Sequence, residues 1–348
     1  CTAEGVIGNE LYSARALGIT EDFDIIQLHP DLKPLWNDIS SHYKRIGLSH
    51  SSQVVWDLDL RHLGKHIGFQ PSVFFYGPHE YRNWGDIQWL ETVDYINSKN
   101  NFMTLAKELD MYVPKTICFN SVTEIDPELF REHDFPCYLK AAISVAGVGI
   151  YRCENKAALI KAMEYFENDV SVQIQEEIKA ESFLNLQYRV IGDQVIRLAV
   201  SEQILDGYAH QGNRVPASHE PWSSVDPMAC WLRDHGMKGI FAFDVAIVQT
   251  EHGLRFPAIE CNPRYNGATY PTLIAQKLDI PEWSALTVTT RQRNLKALDI
   301  RDLEFNKQTG EGVVIVNWGT ILHGKLMIIL AGSLEYQQVL AAELDVRL

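Results

Sequence analysis

The stretch GIFAFDVAIVQTEHGLRFPAIECNPRYNG, Gly239 to Gly267, decides the fold. Residues 240–248 alternate in character and are rich in β-branched and aromatic side chains, as is Leu254–Cys261, so both read as strands. Between them Glu251-His252-Gly253 supplies a tight turn with a glycine able to take a positive φ. A fold-back centred on His252 sets Asp244 opposite Glu260, with their side chains on one face of the hairpin. Alternation along the strand adds Asn262 to that face and turns Ile259 and Cys261 away. Two carboxylates and an amide are hard oxygen donors of the kind Mg²⁺ takes; a solvated acidic face is the plainer alternative. Arg264 follows, a planar cation suited to gripping a phosphate through two hydrogen bonds.

The 348 residues can hold two or three domains. A formal charge of −14 works against a sequence-independent grip on nucleic acid and against binding to an anionic membrane surface. Cys1, Cys118, Cys137, Cys153, Cys230 and Cys261 form no CxxC and no metal spacing, which suggests reduced thiols in the cytoplasm. The opening residues carry no signal-peptide pattern, and the apolar run Gly312–Gly332 contains Asn317, His323 and Lys325, so no membrane span is expected.

Upstream of the hairpin, Asp24–Leu28 and Ser72–Tyr76 read as buried strands, with helical character in Asp31–Ile46 and Val54–Ile67. That alternation suggests an α/β layer with an open parallel sheet. The loop Gly77–Arg82 offers His79, Glu80 and Arg82 to a ligand, or is a plain surface loop. Trp89–Asp110 has helical spacing with a polar break at Asn97–Asn101, where Asn97 or Ser98 caps a second helix and Lys99 sits. Pro136–Tyr151 reads strand, small-residue loop, strand. Lys140 followed by Ser144, Ala146, Gly147 and Gly149 makes either a phosphate cradle or an ordinary hairpin turn.

Asn155–Phe166 is an amphipathic helix, and Val170–Ile178 a strand that turns acidic. Phe183–Ile191 and Gln194–Gln203 form a hairpin, from which Arg197 needs an anionic partner. The polar loop Tyr208–Pro216 offers Gln211, Asn213 and Arg214 to a substrate carboxylate or phosphate, or is a connector. Asn266 and Gly267 are small enough to let a ligand approach the backbone. Two apolar strands, Gly312–Trp318 and Lys325–Leu330, and a helix from about Ser333 to Leu344 close the chain.

Taken in order, Lys99, Lys140 with its loop, the acidic segment 175–181, then Asp244, Glu260, Asn262 and Arg264 resemble the ATP-grasp superfamily over about residues 97–285. The resemblance implies a mixed α+β and α/β chain: an N-terminal Rossmann-like α/β domain at 1–97, then an ATP-grasp domain at 98–348. That domain would comprise a lid lobe at about 114–177 and a C-terminal lobe at about 178–348, clasping ATP between them. It implies Lys99 and Lys140 on the phosphates under the loop holding Ser144 and Gly147. Gln175, Glu176, Glu177 and Ile178 would pair with adenine through the backbone, and Glu181 would hold the ribose.

Asp244, Glu260 and Asn262 would hold one or two Mg²⁺ (or Mn²⁺) ions, with Arg197, Asn213, Arg214, Asn266 and Gly267 toward substrate. The implied activity is that of a carboxylate–amine or carboxylate–thiol ligase. A carboxylate attacks the γ-phosphorus, aided by Arg264 and Lys140, and an amine captures the acyl phosphate, releasing ADP and phosphate. An ATP-grasp phosphotransferase, a catalytically silent ATP-binding protein and a structural hairpin protein are the alternatives. The expected partners are ATP and small-molecule substrates, without nucleic acid or membrane; a homodimer is compatible.

Overall fold

Residues 8–59, 64–72, 75–144, 148–206 and 209–348 are described by the computed structural model. The first of them form a 3-10 helix, Asn9–Ile19. Strand β1 (Ile25–Gln27) then pairs in parallel with β2 (Gln53–Val55) across helix α1 (Trp36–Ile46), a small parallel sheet. The expected helix at Val54–Ile67 does not start at Val54: β-branched Val54 and Val55 pair with Ile26 and Gln27 instead, residues 64–66 form a 3-10 turn, and 60–63 lie outside the described residues. The strand expected at Ser72–Tyr76 lies partly outside the described residues. Leu11, Leu17, Leu28, Ile39 and Tyr43 are buried in a cluster that continues through Ile274, Trp318, Ile328 and Leu340, so this layer shares its core with the C-terminal third.

The segment read as a loop at 77–82 is helix α2 (Pro78–Trp84). Pro78 suits the first helical turn, and the Glu80 carboxylate accepts a 3.0 Å hydrogen bond from the Gly77 N–H. Helices α3 (Ile87–Ile96) and α4 (Lys99–Glu108) meet at the expected polar break, with Ser98 capping α4.

A four-stranded antiparallel sheet follows, in the order β3 (Thr116–Phe119), β6 (Val172–Glu176), β4 (Cys137–Ala141), β5 (Ile150–Cys153), with helix α5 (Lys156–Met163) against it. Strand alternation separates its faces. Leu139, Val172 and Ile174 pack with Leu159 of α5, while Lys140, Gln173 and Gln175 line the other face.

The largest sheet has nine strands. Its continuous order is β11 (Gly253–Arg255), β10 (Gly239–Thr250), β7 (Ala180–Ile191), β8 (Gln194–Asp206), β9 (Ala209–Val215), β13 (Trp283–Thr289), β15 (Lys325–Ala331), β14 (Gly312–Asn317), and β12 (Ala258–Asn262) also pairs with β10. Helices α6 (Asp226–Asp234), α7 (Thr269–Lys277) and α8 (Leu334–Arg347) complete the chain.

Strands β9 and β13 escaped the sequence reading, which made Tyr208–Pro216 a loop. They hold through close approach: a Cβ at Gly212 would lie 1.8 Å from the Ala285 carbonyl oxygen. On one face of the large sheet Leu184, Leu186, Tyr188, Phe241 and Phe243 bury against Trp89, Val93, Met228 and Leu232 of the helices. The other face carries Asn185, Gln187, Ser201, Gln203 and Asp244. No helix among the described residues is long and apolar enough to cross a membrane.

Candidate active site

Asp244 of β10 pairs with Glu260 of β12, and Ala242 with Asn262, so the two carboxylates and the amide share one face. The turn is one residue tighter than expected. Thr250 pairs with Gly253 and Val248 with Arg255, leaving Glu251 and His252 as the loop. A bulge restores the expected alignment, because Val245 pairs with Ala258 and Ile259 is the extra residue before Glu260.

Three amides surround Asp244. Asn185 Nδ2 donates to its Oδ1 at 2.8 Å, Gln203 Nε2 to the same oxygen at 2.7 Å, and Asn262 Nδ2 to Oδ2 at 3.2 Å. Glu260 has a charged partner: Lys99 Nζ lies 2.9 Å from its Oε2 and also donates to Ser144 Oγ at 3.2 Å. The Lys99 N–H donates to the Ala142 carbonyl at 2.7 Å, tying the start of α4 to the end of β4. Arg264 Nη1 donates to Asn97 Oδ1 at 2.8 Å.

These partners drive the two carboxyl groups apart. Burial, then the charge of Glu260, pushes Asp244 above the usual carboxylate range. Burial acts in the same sense on Glu260, but the charge and hydrogen bond of Lys99, with Arg264 and Lys140 behind, outweigh it and hold Glu260 low. Burial brings the Lys140 ammonium down to about 8, against the pull of Glu260, with Lys99 adding to the fall. Burial also lowers Arg264.

The donor set fits a hard divalent cation. Asp244 receives hydrogen bonds from three neutral amides and is pushed up by burial and by the neighbouring Glu260, a strain a bound cation would relieve. Among the described residues no three His, Cys, Asp or Glu side chains gather closely enough to hold a metal by themselves, so such an ion would take further ligands from water or phosphate.

The other expected positions divide. Lys140 Nζ donates to Gln175 Oε1 at 2.6 Å, and Gln175 Nε2 to Thr116 Oγ1 at 3.0 Å, so the Gln175 side chain is buried inside the small sheet, holding the lysine. The Glu176 carboxylate accepts from the Lys115 N–H at 2.7 Å. Glu177 accepts from Tyr138 Oη at 2.8 Å and from Arg152 Nε at 2.6 Å. The Ile178 carbonyl accepts from the Ala180 N–H, and Glu181 is exposed. Gly147 lies outside the described residues.

Asn266 Nδ2 donates to Asn185 Oδ1 at 3.4 Å, which brings the loop after Arg264 onto the Asp244 face. Asn213 is on that face too, through a 3.0 Å bond from its Nδ2 to Ser201 Oγ. Two candidates stand apart. Arg197 pairs with Asp226, and Arg214 with Glu202 at 2.6 Å; cross-strand pairing puts Arg197 beside Tyr188, on the opposite face from Asp244. Arg197 thus has its anionic partner within the protein.

Asn185 and Gln203 were not foreseen, because only the pairing of β7, β8 and β10 brings them to Asp244. Arg15 was not foreseen either. It is buried, with its guanidinium 4.3 Å from the ring centroid of Tyr270, and its charge helps lower Arg264.

No family model and no curated protein matches the sequence. Solved structures do match. N5-carboxyaminoimidazole synthase from Aspergillus clavatus, complexed with ADP and 5-aminoimidazole ribonucleotide, is similar at 12% identity over 90% of this chain and 95% of that one, with a TM-score of 0.56. The fold is ATP-grasp. A second similar structure is N5-carboxyaminoimidazole synthetase from Staphylococcus aureus complexed with ADP, at 15% identity over 72% of each chain and a TM-score of 0.51. At such identities the likeness shows the fold alone.

Proposed function

We propose that this chain is an ADP-forming carboxylate–amine ligase that binds ATP between the small sheet and the Asp244 face of the large one. One observation carries the reading: on an ATP-grasp fold, Lys99 joins Glu260 to Ser144 at the start of the loop after β4, so a single lysine links both lobes. We place the lobe boundaries at about residues 114 and 177, after an N-terminal part at 1–97. The cytoplasm suits this reading, since Cys118, Cys137, Cys153, Cys230 and Cys261 are free thiols.

In this reading Lys99 and Lys140 meet the phosphates, and Gln175 holds Lys140 in place. Asp244, Glu260 and Asn262 would hold Mg²⁺ or Mn²⁺, which when bound offsets charge on the phosphates. Arg264, fixed by Asn97, offsets charge on the transferring phosphoryl group as the substrate carboxylate attacks. The amine then displaces phosphate from the acyl phosphate to give an amide. Positioning and electrostatics carry the rate, with no covalent enzyme intermediate.

Phosphate release across a panel of amino acids and small carboxylates tests this. A ligase releases phosphate only with both acid and amine present. Transfer to a hydroxyl compound with no second substrate would favour a phosphotransferase and overturn the proposal.

A further inference from the structure

We infer that His210 is a further catalytic residue, the base that removes the proton from the amine as it attacks the acyl phosphate. The inference rests on the ligase reading above and adds to it a group for the second half of the reaction.

The position follows from strand pairing. In β8 and β9, Gln203 lies opposite Asn213, and Gln203 is the residue whose amide donates to Asp244. A register shift between Ile204 and Leu205 brings His210 round to the same face, where its Nε2 lies 2.7 Å from Asn213 Oδ1. His210 therefore stands on the Asp244 face of the sheet, on β9, with β7 and β8 lying between it and β10 and Gln203 of β8 reaching across to Asp244. Gly267, three residues beyond Arg264, also lies beside His210.

The tautomer follows from the hydrogen bonds. Asn213 and Ser201 are buried, and Asn213 Nδ2 donates to Ser201 Oγ at 3.0 Å, which leaves Oδ1 as the atom facing the imidazole. An oxygen there accepts, so Nε2 carries the proton and Nδ1 keeps a lone pair. A base held by a second group, itself held by a third, is the arrangement that proton transfer calls for. Desolvation of the ring holds the imidazole below the usual histidine range, against the bond to Asn213, which favours the neutral form able to accept a proton.

Gly267 keeps space beside that lone pair. A Cβ there would lie 3.1 Å from Cε1 and 3.5 Å from Nδ1 of His210. The neutral amine nitrogen attacks the acyl carbon, and the C–N bond forms. The adduct gives a proton from nitrogen to Nδ1, and the C–O bond to phosphate breaks with its electron pair leaving on phosphate. The imidazolium returns its proton to water.

The test separates the half-reactions. Hydroxylamine traps an acyl phosphate as a hydroxamate and needs little help from a base, whereas an alkyl amine needs its proton removed. Using the acid and amine that support phosphate release in the wild type, both products are measured in wild type, His210→Ala and His210→Gln. Hydroxamate formation is expected to stay within about twofold of wild type, while amide formation falls by about 100-fold or more in both variants.

Added imidazole should partly restore His210→Ala, which a structural role for the residue would not predict. Amide formation at the wild-type rate in His210→Ala, or equal loss of both products, would overturn the role of His210 alone. No hydroxamate from the wild type with any acid in the panel would overturn the ligase reading, and His210's role with it.

Discussion

Lys99 Nζ sits 2.9 Å from Glu260 Oε2, joining the first residue of α4 to β12 across the join between the two sheets. The lysine is nearly buried and the glutamate largely so, and water screens the contact poorly. With Lys99 present, the charge on Glu260 persists beside Asp244; without it, two carboxyl groups face each other with Arg264 and Lys140 as the remaining cations acting on Glu260.

That pairing predicts coupling. Lys99→Met and Glu260→Gln should each destabilise the nucleotide-free protein, and the double variant should lose less than the sum. Urea denaturation of the four proteins is expected to give a coupling of about 1–3 kcal/mol. Strict additivity would mean that the contact contributes nothing.

Lys140 sets a pH dependence. Burial holds its ammonium at about 8 in the free protein, and a bound phosphate would raise that value. Binding above pH 8 then requires proton uptake, so ATP affinity should fall as pH rises through about 8, by up to about tenfold per pH unit. Calorimetric titration on either side of that value checks this. In Lys140→Met the affinity should be weaker throughout, without that slope.

Acid stability should depend on a cluster far from the site. Arg45 Nε donates to Glu304 Oε2 at 2.6 Å, and His42 Nδ1 lies 2.9 Å from Oε1, while His42 Nε2 accepts from the Ile315 N–H. Burial opposes the charge on Glu304, but Arg45 and His42 outweigh it and hold the carboxyl at about 2, against 4.5 for an ordinary glutamate. A depressed value means stability that is present above about 4.5 and lost as pH falls toward about 2. Glu304→Gln should cost about 1–3 kcal/mol at neutral pH and flatten the acid limb of the denaturation profile. An unchanged acid limb would contradict this.

Gly212 holds two strands together. A Cβ there would meet the Ala285 carbonyl oxygen at 1.8 Å, so Gly212→Ala must push β9 from β13. A loss of about 3 kcal/mol is expected from thermal denaturation. A wild-type melting temperature would mean that the strands separate without cost.

Much of this was legible in the chain because it is local. The hairpin around His252, the cap at Ser98 and the alternation in β4 and β6 depend on residues a few positions apart. The Asp244–Glu260 pairing emerged as expected although the turn was read one residue too wide, because the bulge at Ile259 offsets the tighter loop. What the chain concealed is non-local. Asn185, Gln203 and His210 reach the site face through pairings among β7, β8, β9 and β10. The polar run 208–216 reads as loop until β13 supplies its partner.

The central claim is that Asp244, Glu260 and Asn262 hold a divalent ion that carries ATP. The measurement that tests it most directly is ATP affinity with and without Mg²⁺, by calorimetry, in wild type and in Glu260→Gln. The wild type should bind about 100-fold more tightly with the ion, and the folded variant should lose most of that gain. An undiminished Mg²⁺ effect in Glu260→Gln, or none in the wild type, would contradict the account.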